Sequence, residues 1–310
     1  MKYNGVAIEI TEVCPLHCAH CCQECGEPKK EIKSLNYNEI IQKLSEDREL
    51  NYVSLTGGEP FLNCDKMYDA IISARTCNMR CGVVTSGFWA DNEEKVENLI
   101  KKLKELSLDS LTVSRDEFHR AEVSDENIKR ILKWGRVYDL EVCLQISALT
   151  DTDYGMILNP LREELRNTRI ETYPVFYAGR ARKKISRDKL LCNEAVEHQF
   201  CGKGGAYLID VKGDVYPCCS PLGKQPFFRL GNIKNDSAIQ IRENLRKNGI
   251  LHLLRNYGFD PFLKFAREKL QLEIPEKVVS ACDLCALLFQ EKTLLAIGAN
   301  FNQITQMVKE

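Results

Sequence analysis

Short β-branched runs alternate with amphipathic helical stretches through the first half of the chain, and this alternation restricts the fold more than any other feature. The runs Val6–Ile10, Tyr52–Leu55, Gly82–Thr85, Ser110–Ser114, Glu141–Ile146 and Arg169–Val175 read as six strands. Helical patterns fall between them at Tyr37–Ser45, Lys66–Ala74, Glu93–Leu106, Asp125–Trp134 and Tyr154–Leu165, with Asp91 and Ser124 as N-caps. Such repeats imply a parallel sheet with right-handed crossovers. Six units suggest an α/β fold of the open (β/α)6 kind, a partial form of the eightfold TIM barrel, with chemistry at the C-terminal ends of the strands. After Gly179 the pattern changes. Leu190–Leu230 is rich in Cys, Gly and Pro, and Tyr207–Val211 and Asp214–Tyr216 flank Lys212-Gly213 as a small hairpin. Helical patterns follow at Ser237–Asn256, Pro261–Leu272 and Ala286–Ile297. The expected division is a barrel core over residues 1–180 and a smaller domain over 181–310.

Cysteine is the compositional outlier, with 15 residues among 310. Met1–Glu12 lacks the apolar stretch of a secretory signal, and no apolar run is long enough to span a membrane. Clustered cysteines in such a chain point to metal binding or chemistry in a reducing, cytoplasmic setting, with no membrane partner. The 43 basic and 44 acidic residues give a net charge of −1, so no basic field argues for nucleic acid.

Strand 1 runs into Cys14-Pro-Leu-His-Cys18-Ala-His-Cys21. Three thiolates on one loop can hold three irons of a cubane cluster and leave the fourth iron open. Zinc is the alternative, with His17 or His20 completing the site. Cys22 and Cys25 lie outside the spacing and read as loop thiols. Directly after strand 2 comes Thr56-Gly57-Gly58-Glu59-Pro60. Two glycines admit a ligand close to the backbone, and the adjacent carboxylate suits an ammonium group. A second set, Cys201, Cys218, Cys282 and Cys285, can hold zinc or a fully ligated 4Fe-4S cluster. Cys219 is left over beside Cys218. Neighbours on an extended chain point opposite ways, so with Cys218 toward a metal, Cys219 is expected to face the barrel mouth.

The cysteine loop followed one βα unit later by Gly-Gly-Glu-Pro resembles the radical S-adenosylmethionine (SAM) superfamily. The resemblance implies that Cys14, Cys18 and Cys21 hold a 4Fe-4S cluster and that SAM chelates its open iron. It implies that Gly57, Gly58, Glu59 and Pro60 line the SAM site, with Ser86, Ser114 and Arg115 near the rest of that cofactor. The later cysteines resemble the twitch/SPASM extension, which implies one auxiliary 4Fe-4S cluster on Cys201, Cys218, Cys282 and Cys285.

Several longer stretches are similar to the radical SAM epimerases of ribosomally made peptides. They are Cys18-Ala-His-Cys-Cys22, Gly57-Gly-Glu-Pro-Phe-Leu62, Ser86-Gly-Phe-Trp89, Ser114-Arg-Asp-Glu-Phe-His119, Asp214-Val-Tyr-Pro-Cys-Cys-Ser-Pro221 and Cys282-Asp-Leu-Cys-Ala-Leu-Leu-Phe289. That resemblance implies a precursor peptide as substrate, an electron donor such as flavodoxin or ferredoxin, and Cys219 as the hydrogen donor that completes inversion. One stretch departs from it: epimerase relatives carry an acidic residue after the first auxiliary cysteine, whereas Gly202–Tyr207 has none before Asp210. Radical SAM maturases that cross-link or dehydrogenate a peptide are the alternative, and a zinc-binding interaction module is the non-catalytic one.

Overall fold

The structure, a computed structural model, describes residues 3–26, 35–201, 205–220 and 223–308. Gly202, Lys203 and Gly204 of the divergent stretch, and Pro221, lie outside the described residues. Six strands form in the expected places: β1 (Gly5–Thr11), β2 (Tyr52–Gly57), β3 (Arg80–Thr85), β4 (Ser110–Ser114), β5 (Glu141–Ala148) and β6 (Arg169–Pro174). All five successive pairings are parallel. Along β1, Val6, Ile8 and Ile10 join the main apolar core, while Ala7 packs with Leu208 and Tyr216 in a separate small cluster. This is strand alternation: odd positions of β1 look into the barrel and even ones toward the outer helices.

Helices α1 (Tyr37–Ser45), α2 (Cys64–Thr76), α3 (Glu93–Glu105), α4 (Glu117–Arg120), α5 (Asp125–Val137) and α6 (Tyr154–Leu158) fill the crossovers. Ser124 caps α5 as expected, accepting from the Asn127 N–H. The cap of α3 is Asn92, not Asp91: Asn92 accepts from the Lys95 N–H at 3.0 Å, while Asp91 pairs with the Lys95 ammonium outside the helix. The helix expected over Tyr154–Leu165 ends at Leu158 and continues only as a 3-10 turn at Asn159–Leu161. Pro160 lacks the N–H that another α-turn requires.

After β6 come α7 (Arg180–Lys184), β7 (Glu194–Ala195), and then β8 (Ala206–Ile209), β9 (Asp214–Tyr216) and β10 (Gly231–Asn232). The hairpin forms with Gly213 at φ +90 in its turn, a conformation that glycine adopts without a Cβ clash. It does not build a separate sheet. β8 pairs in parallel with β1, giving one nine-stranded sheet ordered β10-β9-β8-β1-β2-β3-β4-β5-β6. The two stretches of chain that meet near residue 180 therefore share a sheet.

The remaining chain is helical: α8 (Ala238–Lys247), α9 (Gly249–Asn256), α10 (Asp260–Leu270), α11 (Ala281–Leu288), α12 (Glu291–Ala299) and α13 (Phe301–Met307), with the two-residue β11 (Lys277–Val278) paired to β7. The pattern over Ser237–Asn256 is two helices, because Asn248 leaves helical geometry and caps the second through the Leu251 N–H. Cys282 and Cys285 lie inside α11 rather than ahead of a helix, so their i, i+3 spacing puts both on one face. Among the described residues, no helix is long and apolar enough to cross a membrane.

Candidate functional site

Cys14, Cys18 and Cys21 line one cavity of about 230 Å³ at the C-terminal ends of the barrel strands, together with Gly57, Gly58, Ser86 and Ser114. The cysteine loop is closed at its base, where Cys14 N–H donates to the Gly26 carbonyl and Gly26 N–H to that of Glu12. Three distant groups then hold it. Arg180 N–H donates to the Cys21 carbonyl at 2.9 Å, and its guanidinium donates to the carbonyls of Cys18 at 2.9 Å and Cys25 at 2.5 Å. Gly179 precedes it at φ +55, where an added Cβ would sit 2.4 Å from the Cys22 oxygen. The Glu122 carboxylate accepts the His17 N–H at 2.9 and 2.8 Å. Spacing gave no signal for Arg180 or Glu122, because each contact joins residues more than a hundred positions apart.

The Ser114–His119 stretch forms the back wall of this loop. Asp116 Oδ1 accepts from the N–H groups of Phe118 and His119 and lies 2.9 Å from His119 Nδ1. His20 stacks on Phe118 at 4.5 Å and lies 3.6 Å from Asp116 Oδ2. Cys18, His20 and His119 bring their donor atoms within 4.8 Å of one another. Burial works against a charge on His119, but Asp116 and a hydrogen bond with Cys18 raise it to about 10. Burial lowers His20 to about 4. Burial raises Cys14 to about 11, and a hydrogen bond from the Cys25 thiol lowers Cys21 and raises Cys25. Cys22 and Cys25, read from spacing as bystanders, both line the cavity.

Gly57 and Gly58 press against the chain leading into the loop. A Cβ on Gly57 would lie 2.3 Å from the Thr11 oxygen, and one on Gly58 2.0 Å from the Val13 oxygen. Glu59 departs from expectation. Its carboxylate is fully buried and accepts from Thr85 Oγ1 (2.7 Å), Ser86 N–H (2.8 Å), Ser86 Oγ (2.6 Å) and Phe61 N–H (3.2 Å). Bonds to a charged acceptor contribute about 1.5–3 kcal/mol each, and burying an ion costs several kcal/mol. Four donors are therefore about what this carboxylate needs, and they engage both of its oxygens. It ties the turn after β2 to the turn after β3. Burial still raises its pKa, with Ser86 and Thr85 opposing. Pro60 is buried at the start of the 3-10 turn Pro60–Asn63, behind the cavity wall. Arg115 is also turned away: it is fully buried and pairs with Asp125, while Ser114 before it faces the cavity. Strand alternation separates the two.

The second set also assembles. Cys201, Cys218 and Cys282 are close enough that, after burial, their charges raise the Cys285 thiol. Burial and the neighbouring thiols push Cys218 to about 12. Such a set favours a metal, which takes the place of the protons. A Cβ on Gly223 would lie 2.2 Å from Cys218 Sγ, so a side chain there would displace that thiol. Tyr3 donates to the Pro217 carbonyl at 2.6 Å and receives Arg255, bracing the segment from the N-terminus. Cys219 is exposed, beside the part-buried Cys218.

Residues 8–158 match the radical SAM superfamily. That stretch is a radical SAM domain. Residues 201–286 match the SPASM iron–sulfur cluster-binding domain. The chain is 27% identical over 297 residues, 93% of each protein, to YydG of Bacillus subtilis, whose name ties it provisionally to peptide biosynthesis. It is 26% identical to a Campylobacter jejuni GTP 3',8-cyclase over 119 residues, 37% of this chain and 35% of that one. The fold is similar to BtrN in complex with AdoMet and 2-DOIA, with a TM-score of 0.54 at 16% identity, covering 82% of this chain and 87% of that one. It is also similar to Streptococcus suis SuiB bound to precursor peptide SuiA, with a TM-score of 0.50 at 14% identity, covering 83% and 68%. A radical SAM domain binds SAM and a 4Fe-4S cluster, and a SPASM domain binds auxiliary iron–sulfur clusters. The two thiol sets suit these groups in number: three cysteines on one cavity wall would leave one iron open, and the four neighbouring cysteines of the second set would supply every ligand of a closed cluster.

Proposed function

We propose that this radical SAM enzyme is a peptide epimerase that converts L- to D-residues in a ribosomally made precursor peptide. When bound, SAM and the cluster held by Cys14, Cys18 and Cys21 would take one electron from a flavodoxin or ferredoxin, release methionine and supply the 5′-deoxyadenosyl radical that takes the Cα hydrogen. Gly57, Gly58, Ser86 and Ser114 form the wall against which SAM lies. Cys201, Cys218, Cys282 and Cys285 hold the auxiliary cluster. Cys219 then returns hydrogen from the opposite face: its S–H bond breaks, a Cα–H bond forms, and the residue leaves inverted. A second electron from the same donor and one proton from water restore the thiol. Fifteen cysteines suit work in the cytoplasm.

The observation that carries this reading is the Cys218–Cys219 pair: one thiol belongs to the part-buried four-cysteine set, and its neighbour is exposed. YydG's assignment to peptide biosynthesis and SuiB's bound precursor peptide support a peptide substrate. A cross-linking or dehydrogenating maturase would use the same two cofactors. Reaction with the precursor peptide in ordinary water separates them. An epimerised product keeps its mass and gains a D-residue on chiral hydrolysis, whereas cross-linking or dehydrogenation removes two hydrogens.

A further inference from the structure

One buried ion pair is unused by the chemistry above. Glu9 is fully buried on the inward face of β1, five residues before Cys14. Lys224 Nζ lies 2.5 and 2.7 Å from its two carboxylate oxygens, although the residues are 215 positions apart. The same ammonium lies 3.5 Å from Gln23 Oε1, and Gln23 lines the cavity beside Cys22. Burial raises the Glu9 carboxyl and Lys224 opposes it. Glu9 is fully buried and Lys224 is part-buried; such a pair is poor evidence for stability, and its use is one of position. Lys224 directly follows Gly223, the glycine packed on Cys218 Sγ. The chain from Cys218 to Lys224 is therefore fixed at both ends: at one by the auxiliary cysteines, at the other by a strand of the barrel. Cys219 lies between.

We propose that the Lys224–Glu9 ion pair is a positioning device that holds the Cys219 segment in register with the barrel cavity, so that hydrogen return keeps pace with hydrogen abstraction. This rests on the reading of Cys219 as the donor. An alkyl chain at 224 should free the segment without touching a cluster ligand. Abstraction should then continue while return fails.

The test uses the holoenzyme with both clusters, comparing Lys224→Met, Glu9→Gln and Lys224→Arg. Three quantities are read: iron per chain, 5′-deoxyadenosine formed per D-residue, and amide hydrogen exchange at Cys219, Ser220 and Gly223. In Lys224→Met the ratio of 5′-deoxyadenosine to D-residue should rise at least tenfold, with 5′-deoxyadenosine production within twofold of wild type and iron unchanged. Exchange at the three amides should quicken. Glu9→Gln should act in the same direction, and Lys224→Arg should restore most of the coupling. A wild-type ratio in Lys224→Met with full iron overturns the proposal. So does loss of auxiliary iron, which would make the pair a support for the cluster rather than for the donor. Exchange is read without product, so faster exchange in an enzyme that makes no D-residue would count against the epimerase reading and not against the latch. Unchanged exchange would overturn the latch whatever the product.

Discussion

The Arg180 guanidinium donates to the Cys18 carbonyl at 2.9 Å and so joins residues 162 positions apart. With the bond to Cys25 and the backbone bond to Cys21, one residue at the end of the sixth barrel unit fixes the loop that begins after the first. The cysteine loop is thus positioned by the fold as a whole, not by its own spacing.

Arg180→Ala should lower iron from about eight per chain to about four, counting four per cubane, with the auxiliary cluster retained. Each lost bond is worth about 1.5–3 kcal/mol when charge-assisted. Arg180→Lys should recover little, since an ammonium cannot reach both carbonyls with a planar fork. Iron analysis with EPR of the reduced protein checks both variants.

Gly223→Ala is the mirror experiment. Its Cβ would intrude to 2.2 Å from Cys218 Sγ, so it should remove the auxiliary iron and spare the other cluster. SAM cleavage driven by a chemical reductant should persist. Loss of all iron, or of none, would contradict the assignment of Cys218.

Glu59→Gln should weaken SAM binding about tenfold or more with iron content unchanged, because its carboxylate ties the turn after β2 to the turn after β3. The amide places an NH2 where Ser86 and Thr85 also donate, leaving buried donors unpaired at about 1–3 kcal/mol. The turn bearing Gly57 and Gly58 should loosen. Equilibrium dialysis with SAM measures this directly.

The Asp116–His119 pair gives a pH signature. His119 is raised in the folded protein to about 10, so its stabilisation is complete below its unfolded value near 6.5 and is lost as pH rises toward 10. Asp116 is lowered to about 2 by His119 against burial, so its contribution is present above about 3.8 and lost as pH falls toward 2. Urea midpoints of the holoenzyme should therefore fall between pH 6.5 and 10, and His119→Gln should flatten that fall.

Much of this was legible in the chain itself. The strands and the helix at Tyr37–Ser45 follow from local periodicity, and Ser124 from cap chemistry. Cys14, Cys18 and Cys21 are close in sequence, so their meeting in one cavity needed only a loop. Glu59 and Arg115 are expected at the SAM site because motifs record identity and not direction; four internal donors hold the Glu59 carboxylate, and Arg115 is buried against Asp125. Arg180, Glu122, Tyr3 and Lys224 carried no signal, because each acts on a partner more than a hundred residues away. The pairing of β8 with β1 was hidden for the same reason.

The central claim is that Cys219 returns the hydrogen, and reaction in D2O tests it most directly. A thiol exchanges its proton with solvent, so wild-type enzyme should place one deuterium at the Cα of each D-residue. Cys219→Ala should keep both clusters and still form 5′-deoxyadenosine, yet yield almost no D-residue. Wild-type product without deuterium at Cα, or a Cys219→Ala enzyme that inverts its peptide at the wild-type rate with solvent deuterium, would contradict the account.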